Sequence, residues 1–313
     1  MAFVSVPDNP APEGAEESWL DGRGGVRVRM MLAPARGPAR GSVILAPGRT
    51  EFIEKYFEVL RALQARGFAT FCIDWRGQGL SGRQAKNPQK GHLVSIDDAV
   101  TDLAASLSLN AARLPRPHIV LAHSMGGAIM LRALQTRRVE ADAAAFSAPM
   151  WGIPGVTPQA RRMARFVTSL GGGAAYAPGV DRKWRRETFA KNALTHDEAR
   201  YARSMDLVEA DMRLALAGPT IGWVQASIDA MDGFQRPGAL AHLKLPVLVA
   251  TAGEEALVDN AAHDAVVASL PNATHITIAG ARHEILMETD ALQNQFWSAF
   301  DALADRVAPR QAA

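Results

Sequence analysis

The sequence predicts an α/β fold in which a mostly parallel sheet is flanked by helices and interrupted by one helical insertion. Short apolar runs alternate with longer stretches of helical periodicity, which is typical of parallel strands joined by crossover helices. From about residue 150 to residue 236 this alternation stops, and helical stretches separated by Gly and Pro replace it. With 313 residues, 48% of them hydrophobic and 21% charged, the chain has the composition of a globular protein with a substantial core.

The predicted strands are short apolar runs bounded by Gly, Pro or polar residues. In chain order they are residues 26–32, 42–46, 68–74, 118–123, 141–147, 247–251 and 274–278. The predicted helices are longer and amphipathic, and they cover residues 56–66, 96–109, 125–135, 260–270 and 291–307. Gly67 ends the first of these helices, and the glycine-rich stretch 76–82 is expected to be a loop.

This alternation divides the chain into three segments. Residues 1–149 and 237–313 are expected to form the two parts of one α/β core, and residues 150–236 are expected to form a helical cap, or lid, inserted between them. Within the cap, Thr157 and Pro158 predict the start of a helix.

Composition excludes several classes of protein. The formal net charge is +2, so no basic arm or acidic tail indicates a nucleic-acid partner. The single cysteine, Cys72, excludes an internal disulfide framework and a cysteine-cluster metal site. Residues 1–18 are acidic and contain three prolines, unlike a signal peptide. Because no apolar run reaches the ~18–20 residues that span a bilayer, we expect a cytoplasmic protein.

The segment from Ala122 to Gly126, Ala-His-Ser-Met-Gly, provides a candidate nucleophile. It lies between a predicted strand and a predicted helix and matches the G-x-S-x-G nucleophile elbow, with Ala122 in place of the first glycine. Small residues are needed there because the serine sits on a sharp turn. Ser124 is therefore the candidate nucleophile. His123 adjoins it, but neighbouring side chains at a strand end diverge, so His123 is not expected to be the base.

A serine nucleophile needs a base and a carboxylate that orients the base. After a nucleophile elbow the chain order is serine, acid, histidine. His283 follows the last predicted strand and is the candidate base. The loop after the strand 247–251 offers Glu254, Glu255 and Asp259, whereas the loop after the strand 141–147 begins with Ala and Pro. The acid is therefore expected in the later loop.

Acyl transfer also requires donors for the developing oxyanion. One is the backbone N–H of Met125, directly after the nucleophile. The other is expected from the loop after the strand 42–46, where the N–H of Arg49 is the candidate.

Together these motifs resemble the lysophospholipase and monoacylglycerol-lipase branch of the serine α/β-hydrolases. The resemblance extends over about residues 40–303, and the matching stretches are 47–51 with Lys55 and Tyr56, 74–82, 122–127, 258–260 and 283–286. Two cap stretches, 192–197 and 218–223, resemble the bacterial lysophospholipases in particular. The resemblance implies an α/β-hydrolase fold with an inserted helical cap.

The resemblance also assigns the site residue by residue. It places the nucleophile on Ser124, the base on His283 and the acid on Glu255, with Asp259 as the reserve acid. The sequence departs from the family at two points. Pro47 and Gly48 replace the usual His-Gly before the oxyanion donor, and glutamate replaces the usual aspartate at position 255.

The resemblance implies a serine hydrolase of carboxylic esters that acts on a monoacyl lipid, most similar to a lysophospholipase and thus to enzymes of lipid metabolism. A monoacylglycerol lipase or general carboxylesterase is the alternative, and a catalytically silent binding protein is an alternative of another class. We expect no metal and no cofactor. The expected partner is a small lipid ester and no nucleic acid, while peripheral contact with the inner face of the membrane stays open.

The first cap helix gives the one indication of substrate. Met163, Phe166, Val167 and Leu170 follow at helical spacing, with Arg161, Arg162 and Arg165 off this stripe. The stripe could cover an acyl chain while the guanidiniums meet phosphate or a membrane surface. The favoured interpretation is a helix packed on the core with a solvated basic face.

Overall fold

An eight-stranded sheet runs through the computed structural model, which describes residues 3–310. The spatial order is β1-β2-β4-β3-β5-β6-β7-β8, and every pairing from β4 onward is parallel. The strands are β1 Glu16–Asp21, β2 Arg27–Ala33, β3 Gly41–Ala46, β4 Phe68–Asp74, β5 His118–His123, β6 Ala143–Ser147, β7 Val247–Ala252 and β8 Ala273–Ile278. The predicted fold class is confirmed.

Helices cover both faces of the sheet. They are α1 Phe57–Ala65, α2 Ile96–Leu109, α3 Met125–Gln135, α4 Pro158–Ser169, α5 Glu198–Ala210, α6 Ile221–Phe234, α7 Asn260–Ser269 and α8 Asp290–Val307. Successive side chains of a strand point to opposite faces. Ile44 therefore packs into the core shared with α2 and α3, whereas Val43 and Leu45 pack into the core shared with α1 and α8.

The first strand is the element that the sequence analysis missed. β1 pairs antiparallel with β2, with Trp19 opposite Arg29. None of its residues is buried, because it is an edge strand that touches the sheet on one side. A strand of this kind lacks the continuous apolar run that identifies the central parallel strands.

Three helices, α4, α5 and α6, lie between β6 and β7. α4 packs mainly on α6, and Ala164 is its buried residue. Met163, Phe166 and Leu170 are 61%, 60% and 71% exposed. The expectation that this apolar stripe packs on the core is therefore wrong, because α4 contacts α6 through Ala164 and through ion pairs of Arg161 and Arg165, on a different side of the helix. Across residues 3–310, no helix is long and apolar enough to cross a membrane.

Candidate active site

Ser124 occupies the sharp turn between β5 and α3, near the middle of the carboxyl edge of the sheet. Its φ is +50° and its ψ is −120°, a strained combination for a residue with a side chain. Gly126 makes the turn possible, since a Cβ at this position would lie 2.1 Å from the carbonyl oxygen of Ala46. The turn places Ser124 at the cavity beside the carboxyl edge of the sheet, as in a nucleophile elbow.

The structure brings the serine, the histidine and one of the candidate acids into a single line of hydrogen bonds. His283 Nε2 lies 2.9 Å from Ser124 Oγ, and His283 Nδ1 lies 2.8 Å from Glu255 Oε2. A carboxylate only accepts, so Nδ1 carries the proton and donates it to Glu255. Nε2 is then free to accept the proton of the serine hydroxyl.

Glu255 is held by the loop that contains it. Its Oε1 accepts hydrogen bonds from the backbone N–H groups of Ala256 at 2.9 Å, Leu257 at 2.7 Å and Val258 at 3.3 Å. Burial raises the pKa of Glu255, but the hydrogen bond and charge of His283 together with these N–H donors lower it below its ordinary value. The carboxylate is therefore ionised at neutral pH. The backbone of the loop thus folds around the Glu255 carboxylate. This arrangement accommodates a side chain one methylene longer than that of aspartate.

The other candidate acids have different partners. Asp259 is the N-cap of α7, and its carboxylate accepts a hydrogen bond from the N–H of Ala261 at 3.0 Å. Glu254 Oε2 lies 3.3 Å from Nε2 of His196. Of the three carboxylates in this loop, the structure places Glu255 against His283.

The two candidate oxyanion donors are both free. Within residues 3–310 neither the N–H of Arg49 nor that of Met125 donates to an acceptor. Met125 is the first residue of α3, where backbone N–H groups lack intrahelical acceptors. These N–H groups can therefore receive the oxyanion of a tetrahedral intermediate.

Residues from the stretch 74–82 hold the loop that carries Arg49, which the sequence analysis did not anticipate. Trp75 Nε1 donates to the carbonyl of Pro47 at 2.7 Å. Gln78 donates through Nε2 to the carbonyl of Gly48 at 2.9 Å and accepts from the N–H of Thr50 at 3.1 Å. The carbonyls of Pro47 and Gly48 are thereby occupied by side-chain donors, which hold the loop in place. A sequence signal existed, since 74–82 was one of the matching stretches, but it indicated no role.

A second unanticipated feature is a cluster of buried polar side chains beside the same loop, which we call the Glu51 cluster: Glu51, Lys55, Tyr56 and Glu284. Lys55 Nζ lies 2.9 Å from Glu51 Oε1 and 2.5 Å from Glu284 Oε1. Glu51 Oε2 accepts hydrogen bonds from Tyr56 Oη at 2.6 Å and from the N–H of Gly48. Through these hydrogen bonds, Glu51 connects the buried Lys55 to the loop that carries Arg49.

The cluster contains one cation and two carboxylates, and their pKa values reflect this. Burial raises the pKa of Glu51, but the charge of Lys55 and the hydrogen bonds from Tyr56 and Lys55 outweigh burial and lower the pKa to about 2. Burial and the neighbouring charge of Glu51 raise the pKa of Glu284, against the opposing effect of Lys55. Burial also lowers the pKa of Lys55, but its two carboxylates raise it above its ordinary value.

His123 stands outside the catalytic line. Its Nδ1 lies 3.0 Å from the carbonyl of Ser147, and its ring packs on that of His283 with 4.8 Å between centroids. Burial lowers the pKa of His123 to about 4, despite the opposing charge of Glu51. It is therefore neutral at pH 7 and does not act as the partner of Ser124.

The line of hydrogen bonds from Glu255 through His283 to Ser124 opens into a cavity of about 210 Å³. Its apolar lining includes Met150, Ile153, Trp223, Leu257 and Val258. Such walls fit an alkyl group beside the nucleophile. In the part of the chain that the structure describes, no group of three or more His, Cys, Asp or Glu residues could hold a metal ion.

The chain resembles known proteins over most of its length. A family model described as serine aminopeptidase, S33, matches residues 37–290. Lysophospholipase L2 of Escherichia coli K12 is 38% identical over 306 residues, which cover 94% of this chain and 88% of that protein. The monoacylglycerol lipase of Mycolicibacterium smegmatis is 27% identical over 280 residues, or 88% of this chain and 92% of that one.

A solved structure of a soluble variant of monoglyceride lipase from Saccharomyces cerevisiae, in complex with a substrate analog, has the same fold. Its TM-score is 0.75 at 18% identity, and the match covers 98% of this chain and 99% of that one. The predicted family resemblance is confirmed.

Proposed function

The chain belongs to the serine aminopeptidase S33 family, and from this premise we propose that it is a serine carboxylic-ester hydrolase acting on a monoacyl lipid, as a lysophospholipase does. The observation that carries the proposal is the line from Glu255 through His283 to Ser124 Oγ at an apolar cavity. The 38% identity to lysophospholipase L2 supports the substrate class. The alternative substrate is a monoacylglycerol, which the 27% identity to a monoacylglycerol lipase favours.

The proposed mechanism has two halves. Ser124 Oγ attacks the ester carbonyl carbon while His283 Nε2 takes its proton, and Glu255 stabilises the imidazolium. The N–H groups of Arg49 and Met125 stabilise the oxyanion. When the intermediate collapses, the C–O bond to the alcohol breaks and His283 protonates the leaving oxygen. Water then attacks the acyl-enzyme with His283 as the base, which releases the fatty acid and restores Ser124.

The cap is part of this proposal. We assign the core to residues 1–149 and 237–313 and the cap to residues 150–236. Met150, Ile153, Leu194 and Trp223 from the cap line the cavity, so the cap supplies much of the apolar surface that an acyl chain would contact.

The family description also names peptidase activity, for which the site is less suited. An aminopeptidase must bind the α-ammonium of its substrate, which an unpaired carboxylate does best. The carboxylates of Glu51 and Glu284 line the cavity, but both bind Lys55. Within the described cavity lining, the polarity therefore favours an ester with an alkyl chain.

Contact with a membrane surface is proposed for the outer face of α4. Met163, Phe166 and Leu170 are exposed on this face, beside the exposed Arg162 and Arg165. Apolar side chains flanked by cations suit the boundary between headgroups and acyl chains of an anionic membrane. Arg161 pairs with Asp232 of α6, and Arg165 lies 3.8 Å from Asp229 of the same helix. A cytoplasmic location at the inner face of the membrane stays a prediction.

The experiment combines a serine-directed fluorophosphonate probe with fatty-acid release from a lysophospholipid. We expect the wild type to be labelled at Ser124 and to turn over the lipid. Ser124→Ala and His283→Ala should each lose several orders of magnitude in kcat without a change in far-UV circular dichroism. Ser108→Ala, at an exposed position on α2, is the control and should keep both labelling and turnover.

Two results would contradict the proposal. Near-wild-type turnover by Ser124→Ala would refute the mechanism. A wild-type protein that is folded, unlabelled and inactive on every ester would indicate a binding protein, and turnover of an aminoacyl nitroanilide alone would indicate a peptidase.

A further inference from the structure

The side chain of Arg49 is fixed at the wall of the active-site cavity. One terminal nitrogen donates to the carbonyl of Ala217, and the guanidinium lies 5.5 Å from the centroid of the Trp223 ring. Gly91 packs against the guanidinium, and a Cβ at Gly91 would come within 2.8 Å of a guanidinium nitrogen. A glycine, an indole ring and a carbonyl therefore hold the guanidinium in place.

In the part of the chain that the structure describes, this guanidinium has no anionic partner. The Nε atom of Arg49 is buried, and among residues 3–310 this atom has no hydrogen-bond acceptor. Within the same residues, the guanidinium forms no ion pair with a carboxylate. Two arginines that are more deeply buried than Arg49 are paired: Arg29 lies 2.6 Å from Glu54 and 3.2 Å from Asp74, and Arg76 lies 2.6 Å from Asp102.

Burial lowers the pKa of Arg49 to about 10, so the side chain is still a cation at neutral pH. A partly buried cation with no counterion among the described residues destabilises the folded protein, and an anion that binds beside it removes this cost.

A second cavity adjoins the first at this residue. It has a volume of about 340 Å³ and shares Arg49, Thr50 and Leu194 with the catalytic cavity. Its lining differs in character from the apolar lining around Ser124, because it contains four exposed charged residues, Asp181, Lys183, Arg185 and Glu187. Polarity therefore changes across Arg49, from apolar walls on the catalytic side to charged walls on the other.

We propose that the Arg49 side chain binds the phosphate of a lysophospholipid whose ester carbonyl lies at Ser124, with the head group in the second cavity. This inference rests on the proposed function and assigns its substrate class. This assignment fits the position of Arg49, which lines both the cavity at Ser124 and the second cavity. One residue can thus reach both the oxyanion and the phosphate.

The chemistry of this contact discriminates between the two candidate substrates. A lysophospholipid brings a phosphodiester anion to the guanidinium, and such charge-assisted hydrogen bonds are among the strongest in proteins. A monoacylglycerol brings a hydroxyl group, which leaves the cation unpaired. Arg49 therefore favours the phospholipid at the position where the two substrates differ.

The test measures the ratio of kcat/KM for lysophosphatidylglycerol to kcat/KM for a monoacylglycerol with the same short acyl chain, with both substrates below their critical micelle concentrations. Arg49→Met keeps the backbone N–H and removes the cation, so the ratio should fall by about ten- to a hundredfold. Arg49→Lys should recover it in part, since lysine keeps the charge but loses the planar fork. Arg138→Met, which removes an exposed arginine just beyond the C-terminal end of α3, should leave the ratio unchanged.

A second arm separates lipid phosphate from free phosphate as the ligand. Inorganic phosphate and sn-glycerol 3-phosphate are tested as inhibitors of the hydrolysis of a neutral nitrophenyl ester. We expect sn-glycerol 3-phosphate to inhibit the wild type more strongly than inorganic phosphate does, and to lose this effect in Arg49→Met. Inhibition by inorganic phosphate with an unchanged substrate ratio would overturn the proposal and indicate a site for free phosphate.

Binding of sn-glycerol 3-phosphate to Ser124→Ala, with and without Arg49→Met, is measured by calorimetry. This measurement distinguishes a failure of the phosphate site from a failure of the proposed function. Arg49-dependent binding supports the phosphate site even if no ester is hydrolysed, which would refute the proposed function alone. Equal or undetectable binding together with an unchanged substrate ratio would overturn the phosphate site and leave the ester hydrolase standing.

Discussion

Replacing Lys55 with methionine tests whether the Glu51 cluster stabilises the folded protein. Methionine keeps the apolar stem of lysine but removes the cation that lies between two buried carboxylates. Breaking a buried ion pair by removing one partner costs about 3–5 kcal/mol of unfolding free energy, because a charge is left without compensation. Here both Glu51 and Glu284 lose their cation, so we expect a loss in that range at pH 8.

The loss should depend on pH, and its sign follows from the two carboxylates. In the wild type the pKa of Glu51 is lowered to about 2, so its stabilising contribution is present above the ordinary glutamate pKa and is lost only as the pH falls toward 2. Glu284 already has a raised pKa in the wild type, and the loss of Lys55 raises it further. The same loss lets burial raise the pKa of Glu51. The folded variant then binds protons that the unfolded chain releases, and the penalty shrinks as the pH falls through the raised pKa values.

The assay is denaturant unfolding of wild type and Lys55→Met at pH 8 and pH 5. We expect the difference in unfolding free energy to be smaller at pH 5. Lys86→Met is the matched control, since Lys86 is an exposed lysine outside the cluster, and it should change the stability by less than about 0.5 kcal/mol at either pH. A Lys55→Met protein as stable as Lys86→Met at pH 8, or a penalty that grows on acidification, would refute the reasoning.

Two further predictions concern the triad acid and the exposed helix face. Glu255→Gln should lower kcat by on the order of 10³–10⁴, whereas Asp259→Asn should leave kcat near the wild-type value because asparagine also caps helices well; the reverse ranking in steady-state kinetics would assign the acid to Asp259. Changing Met163, Phe166 and Leu170 together to serine should weaken sedimentation with phosphatidylglycerol-containing vesicles at least tenfold, since burying each apolar side chain is worth up to ~1.5–3 kcal/mol. Turnover of a monomeric nitrophenyl ester is the control and should be the same in the variant and the wild type. Unchanged vesicle binding would exclude this face as the membrane contact.

The sequence predicted the features that depend on local pattern. Central parallel strands are buried on both faces, so each appears as an uninterrupted apolar run. The elbow around Ser124 is equally local, because the small residue at Gly126 answers a steric demand within one turn. Chain order then narrowed the acid to one loop, where the resemblance favoured Glu255 over Asp259.

The features that the sequence analysis missed depend on contacts between distant segments. Lys55 and Glu284 are far apart in the chain but only 2.5 Å apart in space, and no periodicity connects them. For the outer face of α4, the sequence analysis predicted a contact that the structure does not have. Its apolar spacing predicted burial, but the periodicity of a helix does not reveal whether its apolar stripe meets the core, another helix or a membrane.

The backbone and the side chain of Arg49 are held by different contacts, and each is proposed to contact a different part of the substrate. The backbone N–H is positioned through the loop that Trp75 and Gln78 hold, whereas the guanidinium is fixed by Gly91, Ala217 and Trp223. Preorganised donors stabilise a transition state because they need no reorganisation during the reaction. A phosphate seated on the guanidinium would place the ester carbonyl next to the N–H of the same residue. Substrate recognition and oxyanion stabilisation would then be coupled through one residue, so removal of the guanidinium should lower kcat as well as raise KM for lysophospholipid.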